Sequence, residues 1–489
     1  MVKSINIVSD EQPPTCVAFT QAEERRLIRK IDLHLMPLLT ISYAFQLLDK
    51  TSLSYAAMLG IKTDLHLVGQ QYSWTSSIFY IGYLVSSYPI SVGFVKFPLA
   101  KFLSLLIGAW GIVLTLHAVS YDYPSLMVLR VFLGVCESSQ THGFSLITGM
   151  WYTPREQVTR HMVWAMGNCL GEVVGSLISY GLLYFTRSFP QWKILFILFG
   201  LLTVFWSIVL WFFLPDSPDS AYFLNEKERA FAAPRPKKFQ HTTQTKIWKR
   251  DQFLETLRDP KSWWFTVFMF NLMVPSGGVT AFSTILVNSF GFNKYTTVLM
   301  GLPAVGVQLL SFLIISFITT TVRRARLKCI AGLHVNSLLG ILLVKLLPEE
   351  KKWGRLVGFW LVRAYTPMLP LTLTLLASNT AGFTKKSTTG AMLFIGYCVG
   401  NLVGPQFFLS SEAPIYQTAY TTWMICFVLT IFLSLGMRVY LRWENRRRDR
   451  EQEMHVDAED KLTVDFQTDG QLDNVDETDR MNRGFRYVL

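Results

Sequence analysis

The sequence predicts an all-α membrane protein: twelve transmembrane helices in two pseudo-symmetric halves of six. Three observations predict it. Apolar runs of about 20 residues recur along the chain, the length that crosses ~30 Å of hydrocarbon at ~1.5 Å per residue. Of 489 residues, 51% are hydrophobic and only 16% charged, well under the ~25% of soluble domains. One long polar connection falls midway, with six runs on either side.

The first run, 35–56, follows "EERRLIRKIDLHL" in a polar cytoplasmic N-terminal segment, 1–34. That stretch has no small-residue cleavage site and leads into a full-length span, so it reads as a flank and not as a secretory signal. Runs at 73–94, 102–120, 124–144, 161–185 and 193–214 complete an N-terminal bundle, 35–214. Pro215 and Pro218 stop the sixth helix and open a central cytoplasmic loop, 215–262. Within it, "SAYFLNEKERA" predicts a short amphipathic helix on the membrane face. Runs at 263–288, 296–318, 327–347, 355–379, 389–411 and 419–440 form a C-terminal bundle, 263–440. The tail, 441–489, passes from "RWENRRRDREQE" into an acidic stretch, 451–479, that predicts a disordered cytoplasmic segment.

A net charge of +12 raises the question of nucleic acid. Its placement answers no. With both termini inside, roughly 35 of the 46 Lys and Arg fall on inner segments and about 8 on outer loops, the asymmetry that orients membrane proteins. Those at run ends are counted with the adjoining segments; the remaining three, Lys50, Arg130 and Arg363, lie in the interior of runs. The six cysteines have no metal-ligand or redox spacing, which leaves them to packing. No Asn-x-Ser/Thr acceptor occurs, in keeping with short outer loops. Without a nucleotide loop, a metal-spaced cluster or a nucleophile triad, the chain does not read as an enzyme, and no cofactor or metal is expected.

The halves carry a hidden repeat. Span five reads "GNCLGEVVG", with Gly167, Gly171 and Gly175 four apart; span eleven reads "GYCVGNLVG", with Gly396, Gly400 and Gly404 four apart. Each is a ridge of small residues that lets helix backbones approach closely. Each also sets an Asn directly after a Gly, Asn168 and Asn401. Equivalent positions in the two halves point to duplication.

Charge inside hydrocarbon marks function. "ISYAFQLLDKTSLSYAAM" sets Asp49 beside Lys50, and "VLRVFLGVCESSQTHG" carries Arg130 and Glu137 seven apart, on one helix face about 10 Å from each other. Counting from the span ends puts Asp49 and Arg130 at similar depth, so an Asp49–Arg130 ion pair is expected. Adjacent helix residues point ~100° apart, which leaves Lys50 to another partner, and a carboxylate-bearing cargo would serve. Further polar candidates are Tyr83, Glu172, Arg363, His142 and Gln406. Tyr83 would stack or hydrogen-bond in a cavity, and His142 would relay a proton. Glu172 reads as a cavity or pairing residue, and Arg363 as a second cargo cation or an outer-loop partner.

Together these stretches resemble the major facilitator superfamily, and within it the anion:cation symporter family, most closely the fungal allantoate permease group. The resemblance covers about 23–445 and is carried by "RKIDLHLMPLLTISYAFQLLDKTSLSYA", "TDLHLVGQQYSWTSSIFYIGYL", "VLRVFLGVCES", "WFFLPDSP" and "ASNTAGFTKKSTTGAMLFIGYCVGNLVGPQFF". It implies the major facilitator fold, in which two bundles rock around a central site. It also implies Asp49 and Glu137 as proton-carrying acids, Arg130 as the group that couples them, Lys50 as the holder of a cargo carboxylate, and Tyr83 and Asn401 as lining. The chain departs from the family at Lys50, where many relatives have Arg, and in "VGFVKFPLAKFL", which keeps only Lys96 and Lys101 of an Asp-Arg signature. His142 stands where Pro is usual, and Glu172 where an uncharged residue is usual.

The expectation is therefore proton-coupled uptake of a small organic anion by alternating access. The cargo class spans ureido acids, nicotinate, vitamins and other carboxylates. The partners are protons, the anion and the bilayer; the carrier acts as a monomer, in the plasma membrane, with both termini cytoplasmic. Efflux of an acidic metabolite is one alternative. A non-transporting nutrient sensor is another.

Overall fold

The computed structural model describes residues 20–185, 189–235, 248–322, 325–459, 476–482 and 484–488. These residues contain helices, turns and bends and no strand. The long helices of the first half are α1 (Gln21–Met58), α2 (Gln71–Lys96), α3 (Leu99–Leu116), α4 (Tyr123–Trp151), α5 (Thr159–Leu183) and α6 (Gln191–Phe213). Those of the second are α7 (Pro260–Ser289), α8 (Lys294–Thr321), α9 (Arg326–Leu346), α10 (Lys352–Asn379), α11 (Phe383–Val403) and α12 (Gln417–Glu459). Ten of them are apolar and long enough to span by composition alone. The other two, α4 and α11, are 29 and 21 residues long. Their ionisable and hydroxyl residues dilute the hydropathy, and much of that polarity faces the interior.

Local chemistry sets the boundaries. Thr20 and Glu23 form a capping box at the start of α1, and Asp122 accepts from the Ser125 amide at the start of α4. Pro37, Pro89 and Pro275 lie inside α1, α2 and α7, tolerated where neighbouring helices shield the freed carbonyls. The "WFFLPDSP" stretch has a direct role: Asp216 Oδ1 accepts from the Ala100 and Lys101 amides at 2.8 and 3.3 Å, capping the start of α3.

The two halves repeat one packing scheme, and glycine ridges make it. On α5, a Cβ built on Gly167 or Gly171 would stand 2.2 or 2.4 Å from the carbonyl oxygens of Thr40 and Ala44 on α1. On α11, one built on Gly396, Gly400 or Gly404 would stand 2.3, 2.5 or 2.3 Å from those of Thr266, Phe270 and Val274 on α7. So α5 lies on α1 as α11 lies on α7, backbone to backbone. Likewise α2 packs on α4 and α3 on α6, as α9 packs on α12.

At the end where the termini lie, charge organises each half. Arg235 of the central segment bridges Glu24 and Glu156 at 2.8 and 2.6 Å, and Arg160 pairs with Asp32 at 2.7 Å. The amphipathic helix expected from "SAYFLNEKERA" is one short turn-and-helix, Glu226–Ala232, joined to α1 by Glu228–Lys30 at 2.7 Å; residues 236–247 lie outside the described region.

The tail differs from expectation. α12 continues as a helix to Glu459, supported by Arg447–Glu444 and Arg448–Glu444 contacts at 3.0 and 3.2 Å. Residues 476–482 and 484–488 are seated on the second half instead of being solvated; 460–475 and 483 lie outside the described residues. Asp479 is fully buried, accepts from Lys261 and from Tyr487 Oη (2.8 Å), and lies 2.9 Å from Lys385 Nζ. Burial works to raise its pKa, but Lys261 and Lys385 outweigh burial and hold it at about 2. The two lysines supply a fixed counter-charge that composition could not announce. The seat therefore contributes its stability above the ordinary carboxyl range and loses it only as pH falls toward 2. Asp479→Asn leaves those cations short of a partner, a loss of ~3 kcal/mol. Because cleavage follows the opened population, trypsin should cut at Arg480 and Arg486 more than tenfold faster in this variant.

Candidate functional site

α1 brings the polar residues into the bundle, with Gln46, Asp49, Thr51, Ser52 and Ser54 all buried. Asp49 and Lys50 diverge as adjacent helix residues must. Asp49 turns to α3, where its Oδ2 accepts the Trp110 indole N–H at 2.5 Å. Lys50 turns to α4, where its Nζ lies 3.0 Å from Glu137 Oε1. The expected Asp49–Arg130 ion pair is not made. Trp110 claims Asp49, and the Arg130 guanidinium stands 5.8 Å over the Phe196 ring of α6, with Nε and Nη2 unbonded. The depth estimate still holds, since Asp49, Lys50 and Arg130 line one void of about 20 Å³ with Ser76, Phe79, Tyr80 and Thr280. That is room for about one water molecule. Glu137, Arg130 and Lys50 all lie within electrostatic reach of Asp49, giving two acids and two bases in one cluster.

Lys50 also opens onto a larger cavity of about 110 Å³ between the halves. The first half contributes Tyr43, Gln46, Lys50, Tyr80 and Asn168, and the second Gln308, Arg363, Tyr365, Tyr397 and Asn401. The paired Asn residues of the repeat thus meet one cavity from opposite sides. Asn401 is buried and donates to the Tyr397 carbonyl at 2.9 Å; Asn168 is half-buried. Arg363, neither solvent-facing nor at an outer loop, is buried and paired with Glu172 of the other half.

The remaining candidates lie outside the lining. Tyr83 is buried, with its ring centroid 5.8 Å from Lys50 Nζ and its hydroxyl 3.4 Å from that of Thr141, so it walls the lysine without facing the cavity. His142 Nδ1 meets the Ser138 carbonyl at 3.1 Å and the ring abuts Phe394; among the described residues it touches no carboxylate, which leaves a relay role without a contact. Gln406 donates to Ser77 Oγ at 2.8 Å, a contact between halves away from the cavity. Sequence reading missed Trp110, Gln46, Tyr80, Gln308 and Tyr397. Gln308 interrupts the apolar "AVGVQLLSF" and could have been flagged; a Trp in a span carries no such signal.

Contacts between halves gather toward the end away from the termini. There Ser54 Oγ meets Thr284 Oγ1 at 2.9 Å, Tyr72 donates to the Ala281 carbonyl at 2.8 Å, and Ser77 donates to the Leu402 carbonyl at 2.6 Å. Lys62 closes over the same seam, its Nζ 4.1 Å from the Tyr72 centroid and 5.8 Å from that of Phe282. Burial lowers its pKa from 10.5 to about 8. The closed form therefore holds this proton less well than a solvated one. Protonation opposes closure in full below pH 8, and the opposition fades as pH rises toward 10.5. Disulfide cross-linking of Ser54→Cys with Thr284→Cys should rise over that window, and Lys62→Gln should flatten the rise.

Two helical halves closed over a polar cavity are the architecture of a multi-pass transporter of small molecules. The Major Facilitator Superfamily model matches residues 39–405. An uncharacterised transporter of Schizosaccharomyces pombe is 36% identical over 95% of this chain and 90% of its own length. The allantoate permease of Saccharomyces cerevisiae is 34% identical over 97% of this chain and 88% of its own. The thiamine pathway transporter of the same yeast is 32% identical over 95% and 86%. In fold, the chain is similar to a bacterial homologue of the human lysosomal transporter Spinster, crystallised inward-facing, with TM-score 0.58 at 14% identity over 83% of this chain and 95% of that one. The chain belongs to the major facilitator superfamily, in its allantoate-permease-like group.

Proposed function

We propose that the protein imports a small organic anion together with protons, from the plasma membrane, as a monomer with both termini cytoplasmic. One observation carries this reading: Lys50 lines the central cavity while its ammonium is held by the buried Glu137. A cargo carboxylate can reach that cation only in competition with Glu137. Protonating Glu137 removes the competitor, so proton and cargo favour the same occupied state, which is what coupling requires. Asp49 and Arg130 sit across the adjoining void and set the local charge balance. Lys is a point charge and tolerates several carboxylate geometries, whereas Arg grips one bidentately.

The neutral lining narrows the cargo. Four carboxamides, Gln46, Asn168, Gln308 and Asn401, surround the space and suit a carboxylate that also carries amide-like donors and acceptors. The permease relative named for allantoate fits that chemistry. The test is uptake of labelled allantoate, nicotinate, pantothenate and succinate at acidic and neutral outside pH. At least one is expected to enter faster at acidic pH. Equal rates at both pH values for every compound, or net export, would contradict the proposal.

A further inference from the structure

Arg363 is the cation that the second half contributes to the cavity, and its carboxylate partner comes from the first half. The pair joins α10 to α5 across the interface, with Gln308 Oε1 of α8 at 3.5 Å from the same guanidinium. No acid of its own half stands within ion-pair distance of Arg363 among the described residues. When the halves part at the end away from the termini, Glu172 leaves with the first half and Arg363 stays. An unpartnered buried cation is costly by several kcal/mol, so that conformation calls for another anion.

Backbone geometry points the same way. α10 is discontinuous at this residue: Lys352–Val362 ends, Arg363–Tyr365 forms a 3-10 turn, and the helix resumes at Met368. Broken spans at mid-membrane are where carriers place cargo groups. Arg363 also sits on a partition. It lines the central cavity and, with Glu172, Tyr55, Ser176 and Thr284, a second void of about 20 Å³ toward the far end.

We propose that Arg363 is a second cargo-anion subsite, for a carboxylate, and that Glu172 takes the cargo's place on it when the far end closes. Closing the far gate and displacing the cargo from Arg363 are then one event. This rests on reading the cavity as the cargo site. It makes Glu172 a built-in competitor that drives release toward the termini end. A cargo with two carboxylates would bridge Lys50 and Arg363 before closure.

Phenylglyoxal labelling of Arg363 in proteoliposomes, mapped by peptide mass spectrometry with succinate as the probe anion, tests this. Wild type should label weakly. Glu172→Gln should label severalfold more, and succinate should suppress that gain; Glu172→Asp, an acid with shorter reach, should fall between. Gly149→Ala, where the added Cβ meets nothing within 4 Å, should label as wild type. Equal labelling in wild type and Glu172→Gln, when both are monodisperse, overturns the proposal, as does a gain that succinate leaves untouched. If pH-driven uptake is absent but the gain is succinate-sensitive, the symport reading falls and the Arg363 subsite stands.

Discussion

Glu137→Gln should give a carrier that exchanges its cargo across the membrane and no longer concentrates it. Glutamine keeps the volume and cannot be charged, so Lys50 stays available to the cargo carboxylate at every pH. With one proton coupled, a pH difference of one unit drives about tenfold accumulation, the equivalent of ~1.4 kcal/mol. In the variant that ratio should fall to about one, read as steady-state uptake in cells at outside pH 5 and 7, while counterflow persists. Asp49→Asn should weaken accumulation too, since it removes the acid that lines one void with Arg130. Lys50→Gln should differ in kind. It removes the cation that the cargo carboxylate needs, a loss of ~1.5–3 kcal/mol or about ten- to a hundredfold in cargo affinity.

The second large effect is structural. Gly134→Ala on α4 should abolish most folded protein, because the added Cβ would sit 2.0 Å from the Phe79 carbonyl oxygen of α2. Overpacking a core ordinarily costs ~1–3 kcal/mol when side chains can yield. Here the obstacle is backbone, and α4 also presents Arg130 and Glu137, so any shift that relieves the clash moves the charged cluster. Gly396→Ala meets the Thr266 carbonyl oxygen at 2.3 Å and should behave alike in the second half. Gly149→Ala, with nothing within 4 Å of the new atom, is the control expected to be silent. Fluorescence-detected size-exclusion after a heat step separates the three.

Much of this was legible in the chain. Twelve apolar runs, the midpoint loop and the Gly-x-x-x-Gly ridges of spans five and eleven foretold the helices, the two halves and even which surfaces touch, because helix length and small-residue spacing are local properties. The charges were legible as a group and not as pairs. Asp49 was assigned to Arg130 from depth, but depth gives one coordinate and the rotation of α3, which brings Trp110 to Asp49, gives another. Arg363 and Glu172 lie 191 positions apart, and no periodicity links residues on separate bundles. The tail misled for a related reason. Acidic composition predicts solvation, whereas Asp479 finds Lys261 and Lys385 only after α7 and α11 are packed.

Proton movement in step with cargo is the most direct measurement. Purified protein in liposomes loaded with a pH-sensitive dye is given an outside carboxylate that scores in the uptake panel. The lumen should acidify at the rate cargo enters, and with Glu137→Gln it should stay level while cargo still exchanges. A Glu137→Gln carrier that acidifies the lumen as wild type does would mean that Glu137 does not govern Lys50's access to cargo, and the coupling proposed at this pair would be wrong.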